Sequence, residues 1–239
     1  DIAYHYGKLV TRGYDKAIDV LGADHHGYVP RLKAALQALG VDPDRLDVVL
    51  MQMVNLVRNG ERVKLSKRSG KAITLVTLLD EVPIDAARFY FNLREANSQF
   101  DFDLDLAVEQ SSQNPVYYVQ YAHARICSIF KKLDAEGISL REVTDEELEA
   151  LNTPEEIALI RHIARFPAEI IEAAKAYDPA KMTRYALDLG SLFHKFYTAC
   201  KVYGDDEPLM QARLALCMAA RTTLKNVLTI LKIDAPASM

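Results

Sequence analysis

Pro115-Val116-Tyr117-Tyr118-Val119-Gln120-Tyr121-Ala122-His123-Ala124-Arg125 marks the point where the chain changes its periodicity. From here onward apolar residues recur three and four apart, the spacing that places side chains on one face of an α-helix. Val119, Ala122, Ile126, Ile129, Phe130 and Leu133 form the first such stripe. Ile157, Ile160 and Ala164 form a second, and Leu189, Leu192, Phe193 and Phe196 a third. Leu216, Ala219, Ala220, Leu224, Val227, Leu228 and Leu231 complete the set. No stretch after Pro115 reads as a strand, so 115–239 is expected to be an all-α helical bundle. The polar, acidic connection 134–153 is expected to be a loop or a short surface helix.

Upstream of Asn114-Pro115 the pattern differs. Val20-Leu21 before Gly22-Ala23 reads as a strand ending in a loop, and 29–39 as a helix with Pro30 tolerated in its first turn. The run 46–54 is continuously apolar apart from a few positions and predicts one strand covered on both faces. Asn59-Gly60 makes a tight turn, and 61–65 a short returning strand. Thr74 is placed to cap a helix over 75–81; Pro83 stops it, and Asp85 opens another through Leu93. Alternating strands and helices predict an α/β layer over 1–114.

The bulk numbers fit a globular chain. Of 239 residues, 50% are hydrophobic and 26% charged, and no apolar run approaches the roughly 20 residues that span a bilayer. The first residue is Asp1 and strand-like segments follow at once, so the chain reads as a piece that begins inside a domain. The three cysteines, Cys127, Cys200 and Cys217, are far apart and form no CxxC pair, which argues against a disulfide framework or a zinc site. The formal net charge of −4 means that any RNA contact needs a local basic face.

Several segments carry chemistry. In Lys64-Leu65-Ser66-Lys67-Arg68-Ser69-Gly70, three cations lie within five residues around a hydroxyl, a composition that can wrap a polyphosphate. A solvated basic loop is the competing reading. Asp19-Val20-Leu21-Gly22-Ala23-Asp24-His25-His26-Gly27 ends a strand where open α/β sheets bind ligands. A metal there is disfavoured because adjacent histidines diverge. Asp101-Phe102-Asp103-Leu104-Asp105-Leu106 alternates apolar and acidic residues, and a strand edge or helix start is preferred to a metal site. Tyr117, Tyr118 and Tyr121 cannot all share one helix face, so they divide between core and solvent. Phe193-His194-Lys195-Phe196-Tyr197 and Tyr203 form a second aromatic and basic cluster.

These motifs, in this order, resemble the arginyl-tRNA synthetases, class I aminoacyl-tRNA synthetases of the bacterial type. KLSKRSG is similar to the family's KMSKS-type loop, with Leu65 in the Met position, a change of little volume. GADHHGYVPR, the opening Asp1-Ile2-Ala3-Tyr4-His5, FDLDLA, NPVYYVQYAHAR, a segment like FHRFY and an ending like APERM also resemble the family, along nearly all of the chain. The literal DALR letters are absent; Gln211-Ala212-Arg213-Leu214 stands in that place.

The resemblance implies a C-terminal fragment of an arginine-tRNA ligase. Residues 1–114 would be part of a Rossmann catalytic half, and 115–239 a DALR-type anticodon-binding bundle. Lys64, Ser66, Lys67 and Arg68 would serve the pyrophosphate. Asp1, Asp24, His25, His26, Gln52 and Met53 would line the arginine and ATP pocket. Tyr117, Tyr121, Arg125, Lys195, Tyr197, Tyr203 and Met239 would meet tRNA. It further implies ATP with Mg²⁺, L-arginine and arginine tRNA as partners, no zinc, a cytoplasmic monomer, and no membrane. A HIGH-type motif is absent from the sequence, so the piece alone is expected to be inactive. Two other readings remain open: a related class I enzyme such as the cysteine synthetase, disfavoured by the lack of a zinc set, and a non-catalytic RNA-binding module derived from a synthetase.

Overall fold

The computed structural model describes residues 1–63, 74–204 and 206–239. Lys64, Ser66, Lys67 and Arg68 lie outside the described residues.

The chain opens with α1 (Ile2–Tyr6), which runs on through a π-helical turn at Gly7–Thr11. β1 (Ala17–Gly22) follows, then α2 (Val29–Ala38) and β2 (Leu46–Met51). Pro30 sits in the first turn of α2, where its missing N–H costs nothing. β1 and β2 pair in parallel, Ala17 opposite Leu46 and Gly22 opposite Met51, with α2 as the crossover. Leu9, Ala17, Leu32, Leu36, Val41 and Leu46 form a small apolar cluster of their own.

The single strand expected over 46–54 is in fact two. β2 ends at Met51, and β3 (Val54–Arg58) belongs to a different sheet. The break is held by the Gln52 N–H, which donates to the Ala96 carbonyl at 2.8 Å. Most of β2 is half-buried rather than covered on both faces. Apolar continuity in sequence carries no information about which neighbour each residue pairs with.

β3 turns through Asn59 and Gly60, both with positive φ (51° and 75°), into β4 (Glu61–Arg62). Two left-handed residues in succession are what a tight hairpin of this hand requires. β5 (Phe100–Asp103) pairs in parallel on the other side of β3. Between them lie α3 (Leu75–Glu81) and α4 (Ile84–Phe91). The Thr74 hydroxyl caps α3 by accepting from the Thr77 N–H, and Pro83 separates the two helices as expected. The FDLDLA run is structural: Asp103 closes β5 and caps α5 (Leu104–Val108) by accepting from the N–H groups of Asp105 and Leu106.

The rest is helical: α6 (Pro115–Ala135), α7 (Asp145–Glu149), α8 (Pro154–Ala164), α9 (Phe166–Ala176), α10 (Ala180–Ala199) and α11 (Glu207–Ile230). Among the described residues no strand follows Pro115. Three of the four expected stripes point inward, with Val119, Ala122, Ile126, Leu189, Phe193, Phe196, Ala220, Leu224 and Val227 fully buried; in α8 the face is shifted, with Leu159 buried, Ile157 and Ile160 half-buried and Ala164 exposed. α6 and α10 approach closely at Gly190, where an added Cβ would stand 3.3 Å from Tyr118 Cε1 and 3.6 Å from Ala122 Cβ. The larger apolar cluster crosses the compositional boundary at Asn114-Pro115, joining Leu78, Phe89, Phe102 and Leu104 to the bundle. The β1–β2 unit reaches the helices through the Tyr177 hydroxyl, which donates to Asp47 Oδ2 at 2.6 Å.

Candidate nucleic-acid interface and pocket

α6 is 21 residues long because Asn114 caps it and Pro115 starts it, and because nothing breaks its apolar face. Its other flank carries Tyr117, Tyr121 and Arg125, four residues apart. Tyr117 and Tyr121 lie nearly parallel, 5° between planes, with ring centroids 6.3 Å apart. α10 supplies the partners. Arg125 lies over the Tyr197 ring, 4.6 Å from its centroid, and its Nη1 donates to His194 Nδ1 at 3.5 Å. His194 meets Tyr118 edge-on at 5.2 Å and Tyr121 at 6.0 Å. Burial, with the nearby Arg125 charge, holds the His194 pKa below the usual histidine value. His194 is therefore neutral near pH 7, leaving Nδ1 as an acceptor and the arginine as the local charge.

Five aromatic rings and one guanidinium thus make a continuous surface spanning two helices. Tyr121 is exposed, and Tyr117, Arg125 and Tyr197 are half-buried. Lys195 is exposed beside this surface, in a shallow groove it lines with Tyr118, His194 and Thr198. Tyr197 also borders a neighbouring cavity of about 330 Å³ that includes Tyr203, Lys132 and Lys201. Met239 is 52% exposed at the chain end. Of the seven residues expected to meet RNA, the fold brings Tyr117, Tyr121, Arg125 and Tyr197 into one contact set. Lys195 and Tyr203 flank it. Tyr118 and His194 also belong to it; sequence placed them in two separate aromatic clusters and did not show their meeting.

The Gln211-Ala212-Arg213-Leu214 motif works inwardly. Ala212 and Leu214 are fully buried. The Gln211 amide donates to the Ser139 carbonyl and accepts from the Arg141 N–H, both at 3.1 Å. Arg213 Nε donates to Glu156 Oε1 at 2.7 Å, and its Nη1 to the Lys201 carbonyl at 2.8 Å. The motif staples two connecting segments to α11 rather than presenting a surface.

At the other end of the chain, the residues expected to form a pocket fall into two groups. The Tyr28 hydroxyl donates to Asp1 Oδ2 at 3.0 Å, and the Tyr28 and His25 rings meet edge-on at 6.5 Å. Asp24 Oδ1 lies 4.0 Å from His25 Nε2 and folds back over Gly22, where a Cβ would stand 2.6 Å from that oxygen. Asp1, Asp24 and His25 are thus linked through Tyr28. His26, Gln52 and Met53 make no side-chain hydrogen bond to that group among the described residues; Met53 is 78% exposed at the break between β2 and β3.

Beneath Asp1 lies a polar couple that sequence reading passed over. His5 is 5% exposed; its Nδ1 faces the Asp1 carbonyl at 2.8 Å and its Nε2 faces Asp19 Oδ2 at 2.5 Å. Lys8 Nζ donates to Asp19 Oδ1 at 3.1 Å. Burial alone would raise the Asp19 pKa, but the hydrogen bonds from Lys8 and His5 outweigh it and hold the carboxyl below its ordinary value. Only the tertiary approach of α1 to β1 makes this couple, so no spacing in sequence signals it.

Comparison with known proteins follows the same division. The DALR anticodon binding domain family matches residues 119–239. An arginine–tRNA ligase of Caldanaerobacter subterraneus subsp. tengcongensis is 54% identical over 239 residues, all of this chain and 42% of the relative. One from Ruminiclostridium cellulolyticum is 52% identical over the same extent. Among solved structures, an arginyl-tRNA synthetase of Thermus thermophilus aligns with TM-score 0.78 at 25% identity, over 94% of this chain and 41% of that one. A Campylobacter jejuni chain described as an arginyl-tRNA synthetase aligns with TM-score 0.89 at 35% identity, over all of this chain and 51% of that one. The chain spans less than half the length of these curated relatives.

Proposed function

Since the chain belongs to the DALR anticodon binding domain family, we propose that its helical part holds the anticodon stem-loop of an arginine tRNA. We further propose that a protein of the relatives' full length joins arginine to that tRNA. The observation that carries the reading is the Arg125–Tyr197–His194 contact set with Tyr117 and Tyr121 on one flank of α6. Tyrosine rings offer stacking platforms to unpaired bases, each worth about 1–3 kcal/mol, and arginine meets phosphate. In a chain of net charge −4, Arg125 with Lys195 beside it offers a polyanion a local cationic contact.

In the catalytic reading, the arginine carboxylate attacks the ATP α-phosphorus and the bond to the β-phosphate oxygen breaks, releasing pyrophosphate. A ribose hydroxyl at the tRNA 3′ end then takes the arginyl group and AMP leaves. Lys64 and Lys67 would bear the charge that grows on the leaving pyrophosphate, with Ser66 and Arg68 shaping the loop. Asp1 would pair with the substrate guanidinium, whose planar fork of donors suits a carboxylate. Asp24, His25 and His26 would border the same pocket, and Gln52 and Met53 the adenine. The protein contributes positioning and electrostatics, and the first step needs no general base.

No group of three or more His, Cys, Asp or Glu among the described residues could hold a metal ion. In this reading Mg²⁺ enters as the counter-ion that ATP brings. No described helix is long and apolar enough to cross a membrane. From the family resemblance, and not from that absence, we propose a cytoplasmic monomer.

The test is binding of arginine tRNA and of an unrelated tRNA to the 239-residue chain at several salt concentrations. Preferential, salt-sensitive binding of arginine tRNA is expected. Equal binding of both removes the anticodon reading.

A further inference from the structure

Asp1, at the head of α1, is held through both its main chain and its side chain. Its carbonyl accepts from the His5 N–H at 3.0 Å and faces His5 Nδ1 at 2.8 Å. The His5 ring is buried and fixed in turn, because its Nε2 faces Asp19 Oδ2 on β1. The Asp1 carboxylate is held from a third element: Oδ2 accepts from the Tyr28 hydroxyl at 3.0 Å. Tyr28 is the N-cap of α2, where its carbonyl accepts from the Leu32 N–H at 3.0 Å. Its ring is half-buried and packs against the small apolar cluster that contains Leu32 and Leu36. The core therefore anchors the ring and delivers the hydroxyl to a carboxylate 27 residues away in the chain.

Asp1 is exposed, so its carboxylate is open to a ligand. Among the described residues the Tyr28 hydroxyl is its one hydrogen-bond partner, and no cation pairs with it. An ionised carboxylate offers about four lone-pair sites on its two oxygens. A guanidinium bound side-on takes one site on each oxygen. The phenol takes one more on Oδ2, so both donors can be served together. Being neutral, Tyr28 stabilises the anion without cancelling its charge. The terminal torsion of an aspartate is soft, so nothing within Asp1 fixes the plane of its two oxygens. A planar guanidinium depends on that plane, whereas an ammonium is a compact point charge and does not.

We propose that Tyr28 is a positioning and specificity residue of the arginine pocket: its hydroxyl fixes the plane of the Asp1 carboxylate, so that a flat guanidinium is favoured over an ammonium. This rests on the reading above in which Asp1 meets the substrate guanidinium. Tyr28 acts through Asp1 and does not itself touch the substrate.

The experiment uses a protein of the relatives' full length that contains this chain. It compares Tyr28→Phe, Asp1→Ala and the double variant in steady-state charging of arginine tRNA. Tyr28→Phe should raise the KM for arginine about tenfold, the worth of one hydrogen bond to a charged group. Its kcat and its KM for ATP should stay within about twofold, and so should inhibition by lysine. Asp1→Ala should lower kcat/KM for arginine further, and adding Tyr28→Phe to it should cost less than about twofold more. The melting temperature of Tyr28→Phe should be nearly that of the unaltered protein, because the ring is kept. Equal losses from Tyr28→Phe with and without the Asp1 carboxylate overturn the proposal. So does a parallel weakening of arginine, lysine and ATP, which is the mark of a merely loosened fold. If Asp1→Ala lowers kcat/KM for arginine and Tyr28→Phe leaves its KM unchanged, the positioning role alone falls. If Asp1→Ala leaves kcat/KM for arginine unchanged, the assignment of Asp1 to the guanidinium falls, and the role of Tyr28 with it.

Discussion

Arg213 and Glu156 form an ion pair in which the carboxylate is fully buried, 2.7 Å from Nε to Oε1. Glu156 also accepts from the Thr153 N–H at 2.9 Å, so the carboxylate that caps α8 is the one that anchors α11. A buried charge tolerates this setting only while its partners remain, since desolvation costs several kcal/mol per ion.

Removing one partner should therefore be severe. Arg213→Met leaves the Glu156 charge buried with only the cap bonds, and a loss of about 3 kcal/mol in unfolding free energy is expected by urea denaturation. The double change Arg213→Met with Glu156→Gln should recover part of that loss, since Gln keeps hydrogen-bonding capacity without charge. A loss of only a few tenths of a kcal/mol for Arg213→Met would show the pair to be dispensable.

The same pair sets an acid limit. Burial would raise the Glu156 pKa, but the Thr153 and Arg213 hydrogen bonds outweigh it and hold the value below its ordinary 4.5. A depressed folded pKa contributes stability that is fully present above 4.5 and is lost as pH falls through the folded value. Stability measured downward from pH 5 should fall less steeply in Glu156→Gln than in the unaltered chain. Parallel curves would refute the assignment.

Histidine gives a second window with a different origin. His123 is 4% exposed, and burial first, then the charges of Arg221 and Lys225, lower its pKa from 6.5, against the opposing hydrogen bond to Pro236. The folded state resists charging it, so stability should rise with pH through the range just below 6.5. His194, lowered in the same sense, adds to that slope. The His123→Gln variant should show a smaller change in melting temperature between about pH 5.5 and 7.5. A slope as steep as before would move the effect elsewhere.

Arg125 separates charge from shape. Arg125→Lys keeps the cation but loses the flat group over Tyr197, and Arg125→Ala loses both. The alanine variant should lower the magnitude of the log–log salt slope of RNA binding by about one. The lysine variant should keep the slope and still lose affinity. An unchanged slope in Arg125→Ala would place the phosphate contact on another residue.

Gly190 tests the close approach of α6 and α10. Alanine favours a helix over glycine by about 1 kcal/mol, but its Cβ would press Tyr118 at 3.3 Å. Near-neutral stability is expected for Gly190→Ala, and a loss of about 1–3 kcal/mol for Gly190→Val. Because Tyr118 touches His194, the valine variant should also weaken RNA binding. Full retention of binding would detach Tyr118 from the surface.

Much of this molecule follows from local sequence physics. Helical spacing after Pro115 determined the bundle because a stripe of period 3.6 has one way to bury itself. Thr74 and Pro83 likewise bounded their helices, since caps and missing N–H groups act within one turn. The order of the motifs pointed to the family. Tertiary structure alone decided the rest. It split the apolar run 46–54 between two sheets, brought His194 and Tyr197 to Arg125, turned Arg213 inward to Glu156, and laid Asp234 against Asp85 and Gln120. Each of those meetings joins residues distant in sequence or depends on a choice of partner. Periodicity reports which face of an element is apolar, and it is silent about which other element that face will meet.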